Sequence, residues 1–145
     1  ALNVPKIKSE MTLIQLTTNP CPDYYPSWHP LGTKIVYTAF TDNWYRGIWV
    51  VNFLDPSEKT VLTSGSIIDE CPNYSPNGQK IVFSSYRGGG SNIFVMNSDG
   101  TNIVQLTFGN IPGMPGGSFD SPHWSKMAKK LLSITLQVHI KITLA

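Results

Sequence analysis

The chain has 145 residues and a formal net charge of +2, and its 14% of charged residues lies well below the roughly 25% of an ordinary soluble domain. That length suits one domain, the 41% hydrophobic content excludes a disordered chain, and no run of Lys/Arg supports nucleic-acid binding. No apolar stretch reaches the ~18 residues of a membrane-spanning helix, while Gly 12 and Pro 11 favour short strands and tight turns over helices.

The opening Ala1-Leu2-Asn3-Val4-Pro5-Lys6 lacks the basic-then-apolar pattern of an export leader, as a mature exported chain also would. Residues 11–17 read as an outer strand ending on Leu16-Thr17. That dipeptide returns as Leu62-Thr63 and Leu106-Thr107, at spacings of 46 and 44 residues. Between these marks, Pro26-Ser27-Trp28-His29-Pro30-Leu31-Gly32-Thr33-Lys34-Ile35-Val36-Tyr37 aligns without a gap with Pro72-Asn73-Tyr74-Ser75-Pro76-Asn77-Gly78-Gln79-Lys80-Ile81-Val82-Phe83. A third copy opens as Pro122-His123-Trp124-Ser125 and then departs.

Each copy reads as four strands. A short inner strand carries Trp28, Tyr74 or Trp124 and ends in a turn at Leu31-Gly32 or Asn77-Gly78, the latter expected as a two-residue hairpin with positive φ at both positions. A second strand over 34–38 or 80–84 is rich in β-branched and aromatic residues. After a polar loop comes a third strand, 48–52 or 93–97, then a turn at Asp99-Gly100 and an outer strand over 102–107. Four antiparallel strands per repeat of about 45 residues form a β-propeller blade. The expected fold is therefore all-β, with two complete blades and a partial third, at approximate limits 11–63, 64–107 and 108–145.

Residues 72–83, then Ile93-Phe94-Val95-Met96-Asn97-Ser98-Asp99-Gly100-Thr101-Asn102 and Gln105-Leu106-Thr107, resemble the TolB-type (WD-like) β-propeller repeat. The first copy departs at His29, Leu31 and Phe53-Leu54-Asp55-Pro56-Ser57. The resemblance covers about residues 11–125. It implies a propeller, often exported, so a periplasmic or secreted location is expected, with a cytoplasmic one still open. It does not choose between a scaffolding module and part of an enzyme, such as a peptidase gating domain or a polysaccharide lyase.

The tail leaves the repeat. With synonymous codons chosen freely for residues 126–133, a one-base shift of reading frame gives Asn-Gly-Lys-Lys-Ile-Ala-Phe, so residues 126–145 are expected to be a frameshifted remnant of a longer propeller gene, which the coding DNA would decide, with a diverged last blade as the other reading. Residues 133–144 alternate strictly between polar and apolar types, which predicts one half-buried strand.

Motifs of catalysis are missing from the text. Gly88-Gly89-Gly90-Ser91-Asn92 is neither a nucleophile elbow nor a phosphate loop. His29, His123 and His139 lack ligand spacing, and His29 and His123 read as structural substitutions within the repeat. Residues 97–102 read as a hairpin turn, too short for a calcium loop. No cofactor and no metal site are expected. The candidate ligand-binding positions precede each inner-strand proline, where a propeller opens its central channel: Tyr24 and Tyr25, Asp69 and Glu70, Phe119 and Asp120. They suit a cation, a carbohydrate or a basic peptide, although ordinary loop ends would look alike. Arg46 and Arg87 fall in long loops and read equally well as solvated. Cys21 and Cys71 are not repeat-equivalent, yet a disulfide between them across neighbouring blades is a possibility if their Cα atoms come within roughly 7 Å.

The expected function is non-catalytic binding or scaffolding of a protein or carbohydrate partner at the channel face. A propeller needs about 4–8 blades to close, so a homodimer completing one six-bladed ring is the expected assembly.

Overall fold

A computed structural model describes residues 13–40, 45–87, 90–108 and 120–125, together with the strand backbone of 130–134 and 139–143. Among these residues every regular element is a strand. The first sheet orders β1 (Tyr24–Trp28), β2 (Lys34–Phe40), β3 (Arg46–Asn52) and β4 (Lys59–Val61) side by side, all antiparallel. The second repeats the arrangement with β5 (Asp69–Tyr74), β6 (Lys80–Ser85), β7 (Asn92–Asn97) and β8 (Val104–Gln105). These are the two complete blades. A third sheet holds β9 (Pro122–Trp124), β10 (Lys130–Ile134) and β11 (His139–Thr143).

Alternation along the strands sends two sets of side chains to opposite faces of each blade. From blade 1, Val36, Ile48 and Val50 meet Tyr74, Ile81, Phe83, Phe94 and Met96 of blade 2 in the main core, with Leu62 packed against it. Val82 and Ile93 leave the other face of blade 2, where Leu106 and Trp124 cover them. Ile35, Tyr37, Ala39 and Val51 form the outer face of blade 1, covered by Leu16, Trp49 and Phe53. The recurring leucine of each Leu-Thr pair is thus a plug against a blade face.

The recurring threonine has a separate task. Thr63 Oγ1 accepts the Ile48 N–H at 3.0 Å, and Thr107 Oγ1 accepts the Ile93 N–H at 2.9 Å. Each hydroxyl satisfies a buried backbone donor in the third strand, where an unpaired N–H is costly.

Four expectations change. Residues 13–17 form no strand; Leu16 packs as a plug, and residues 11 and 12 lie outside the described residues. The outer strand of blade 2 shrinks to Val104–Gln105, because Asn102 is left-handed at φ 54° and Leu106 and Thr107 both turn their N–H to the Ile93 carbonyl. At Asn77-Gly78 only the glycine has positive φ (71°). Pro76 starts an ordinary turn closed by Gly78 N–H to the Ser75 carbonyl at 2.8 Å, and Ser75 N–H pairs with the Lys80 carbonyl outside it, so the loop is longer than two residues. Finally, β10 and β11 pair antiparallel from Lys130↔Thr143 to Ile134↔His139. The alternating tail is therefore two paired strands added to β9, not one; alternation reports a pleat and does not say where a strand ends.

Candidate functional site

The inner strands set the geometry of the channel end. Tyr25, Cys71 and Ser121 each precede an inner-strand proline, and all three adopt left-handed backbone, at φ 54°, 55° and 51°. The register of β1 on β2 shifts between Tyr24 and Ser27, and that of β5 on β6 between Glu70 and Asn73, which marks a bulge in each blade. Such conformations cost on the order of 1–3 kcal/mol for a non-glycine residue and re-aim the local side chains. The same deviation recurring at the same repeat position makes it a built feature of this end.

Tyr24 and Tyr25 stand 43% and 52% exposed, with ring centroids 6.0 Å apart. Tyr24 also meets Phe40 edge-on at 6.0 Å. Arg46, at the start of β3, pairs with Glu70 of the next blade and lies 5.5 Å from the centre of the Phe40 ring. The Glu70 hydrogen bond holds Arg46 firmly charged. Asp69 is 2% exposed and pairs with Arg87 at 2.6 Å. The Arg87 guanidinium in turn sits 5.6 Å and 5.4 Å from the ring centres of Phe83 and Phe94, and its Nε donates to Ser85 Oγ. Reading Arg46 and Arg87 as solvated is therefore corrected: both are ion-paired, since the bulges bring Asp69 and Glu70 back over the strand ends.

Tyr25 sits within electrostatic range of this whole group. Its phenol is raised above its ordinary value first by the Cys71 sulfur, then by partial burial and Glu70, against the opposing charge of Arg46. Asp120 acts on Tyr25 and on Cys71 in the same sense. Five of the sequence-chosen positions, Tyr24, Tyr25, Asp69, Glu70 and Asp120, thus fall around one end of the blades. Phe119 lies outside the described residues. Asp120 is exposed and has no ion-pair partner among the described residues, and no group of three or more metal-ligating side chains occurs among them.

Cys21 and Cys71 are both free thiols. The bridge weighed from sequence is not formed, because the Cys71 side chain faces the third blade, with Ser121 Oγ 3.9 Å from its sulfur. Burial pushes the Cys71 thiol above its ordinary value. Its backbone N–H donates to Thr38 Oγ1 of blade 1 at 3.2 Å, so the residue between the carboxylates and the proline ties two blades together. His29 is structural: its ring meets Tyr74 edge-on at 5.0 Å, and its Nδ1 accepts the Leu31 N–H. Sequence reasoning missed the left-handed residues and both arginines. An X-Pro step at the same place in every copy was the available signal for the first.

With the repeated bulges and the blade order established, comparison with known proteins decides the family. Residues 15–144 match the TolB beta propeller domain. The chain belongs to that family. A curated relative, the uncharacterised protein Atu1656 of Agrobacterium fabrum, is 31% identical over 93 residues, covering 64% of this chain and 31% of its own length. The Tol-Pal system protein TolB of Alcanivorax borkumensis is 38% identical over 64 residues, covering 44% of this chain and 14% of that protein. A solved structure from Agrobacterium tumefaciens, described as a candidate TolB, superposes with a TM-score of 0.70 at 26% identity, covering 85% of this chain and 42% of that one. The chain thus spans less than half the length of each of these TolB-like proteins.

Proposed function

We propose that this TolB-type propeller segment is a non-catalytic binding module of an exported, periplasmic or secreted, protein, and that its channel end takes an extended basic peptide segment of a protein partner. The observation that carries this reading is the exposed Tyr24–Tyr25 pair beside a set of already neutralised charges. Arg46 offsets Glu70 and Arg87 offsets Asp69, which leaves the exposed Asp120 as the carboxylate of the group without an ion-pair partner among the described residues. Paired aromatics supply apolar contact area at low entropic cost, and a lone carboxylate at the rim favours a Lys- or Arg-bearing chain over an acidic one. A carbohydrate would also stack on the tyrosines but would gain nothing from the rim charge. The kinship with proteins named TolB supports the exported location.

The test titrates the chain with a synthetic lysine-bearing peptide, its glutamate-bearing counterpart and a neutral oligosaccharide. The basic peptide is expected to bind best, and Tyr25→Ala to weaken it by roughly tenfold or more, as for an interface anchor. Preference for the oligosaccharide, or turnover of either ligand, overturns the reading.

A further inference from the structure

Blades 1 and 2 enclose a groove of about 500 Å³ at the end of their junction opposite Tyr24 and Tyr25. Both of its walls belong to these two blades. Alternation along β2 sets Lys34 on the face of Val36, which packs on blade 2, and Thr60 lies on the same face, paired in register with Val50. Val50, Leu62 and Tyr74 make an apolar floor. The wall from blade 2 is Ser98 and Asp99, in the turn between β7 and β8.

Each end of the groove is closed by a close contact between the blades. At the inner end stands His29, where the second copy of the repeat has Ser75. Its ring meets Tyr74 at 5.0 Å and lies over Gly78, where a Cβ would fall 2.3 Å from Nε2. A serine at position 29 is too short to make that contact. At the outer end Gly100 sits on Leu62, whose carbonyl oxygen would be 3.2 Å from a Cβ there.

The charges on the two walls are opposite and unpaired. Lys34 on blade 1 and Asp99 on blade 2 are both exposed, and the ion pairs among the described residues are Arg46–Glu70 and Arg87–Asp69. Asp99 Oδ1 accepts the Thr101 N–H at 3.0 Å and the Thr101 hydroxyl at 2.6 Å, which leaves Oδ2 for another donor. The neighbouring Lys80 ammonium donates to Asn97 Oδ1 at 2.6 Å. Opposite charges held apart across an apolar floor complement a molecule that carries both signs with apolar groups between them. A neutral carbohydrate could use the Thr33, Thr60 and Ser98 hydroxyls, but it would leave both charges uncompensated.

We infer that this groove binds a short zwitterionic peptide with apolar side chains, its carboxylate accepting from Lys34 Nζ and its ammonium donating to Asp99 Oδ2. The apolar side chains lie on Val50 and Leu62. The site is separate from the channel end and independent of what binds there.

The test titrates the chain by calorimetry with leucyl-leucine, with the same dipeptide acetylated at its amine, and with the dipeptide amidated at its carboxylate. Leucyl-leucine is expected to bind saturably, and each capped form roughly fivefold more weakly, the loss of one ion pair at a solvated site. Lys34→Ala should weaken leucyl-leucine to the same degree and leave the amidated form unchanged. Asp99→Asn, which keeps an acceptor for Thr101, should do the same and leave the acetylated form unchanged. Circular dichroism checks that each variant is folded. Absence of saturable binding overturns the proposal, as does equal affinity for the free and capped dipeptides. So does an affinity unmoved by both substitutions.

Discussion

Blades 1 and 2 carry the same repeat and bury it to different degrees. Tyr74 is 6% exposed and Trp28, its counterpart, 51%, although deeper in the strands Phe83 and Met96 are matched by the equally buried Tyr37 and Val51. The strand pairing is the same in both, with β2 on β3 and β6 on β7 in register along their full length. The difference lies in what stands next to each face. Among the described residues blade 2 has a blade on either side, while the outer face of blade 1 is covered by the plug of Leu16, Trp49 and Phe53. A β-strand pattern marks which residues share a face, and the neighbouring element decides whether that face is dry.

The sharpest way to expose this contrast is to empty each face in turn. Phe83→Ala removes a fully enclosed ring stacked at 6.0 Å on Phe94, and the expected loss is about 3–5 kcal/mol by denaturant titration. Leu31→Ser, on the exposed side, should stay within about 0.5 kcal/mol. Equal losses at the two sites would mean that the Leu31 turn is as enclosed as the Phe83 ring.

The Leu-Thr hydroxyls test the symmetry of the two blades directly. Thr63→Val and Thr107→Val each leave one buried N–H, of Ile48 or Ile93, without its acceptor. Each substitution should cost about 1–3 kcal/mol. Amide exchange at Ile48 or Ile93 should accelerate in the matching variant and not in the other.

The hairpin glycines sharpen the comparison further. Gly32 and Gly78 have nearly the same left-handed φ, 68° and 71°, but a Cβ at Gly32 meets nothing within 4 Å, whereas at Gly78 it runs into the His29 ring. Gly32→Ala should cost about 1–2 kcal/mol, the left-handed penalty alone. Gly78→Ala should cost more, and adding His29→Ala should remove only the excess, a coupling that a double-mutant cycle reads.

The smallest effect is a pH dependence. Tyr37 and Tyr74 are pushed up to about 12, Tyr37 by burial and then by the charge of Asp23, Tyr74 by burial alone. Because the folded state holds these protons more tightly than the unfolded chain, their contribution is complete below pH ~10 and is lost as pH rises through about 12. Tyrosinate absorbance should show the Tyr37 and Tyr74 phenols titrating late, and their titration should coincide with alkaline unfolding.

Periodicity and turn chemistry alone determined the blade architecture and the strand order within each blade. Those properties are local, written in the alternation of residues 34–38 and 80–84 and in the glycines after each turn. The recurrence of Leu-Thr was visible, but its meaning was not, since a leucine plug and a threonine acceptor need a blade face and a buried N–H that exist only after packing. The left-handed residues at Tyr25, Cys71 and Ser121, the pairing of Arg46 with Glu70 and Arg87 with Asp69, and the pairing of two strands in the tail belong to the same class. Only the tertiary structure decided them, because each depends on groups brought together across strands or blades, and an ion pair or a turn between distant residues leaves no period in the chain.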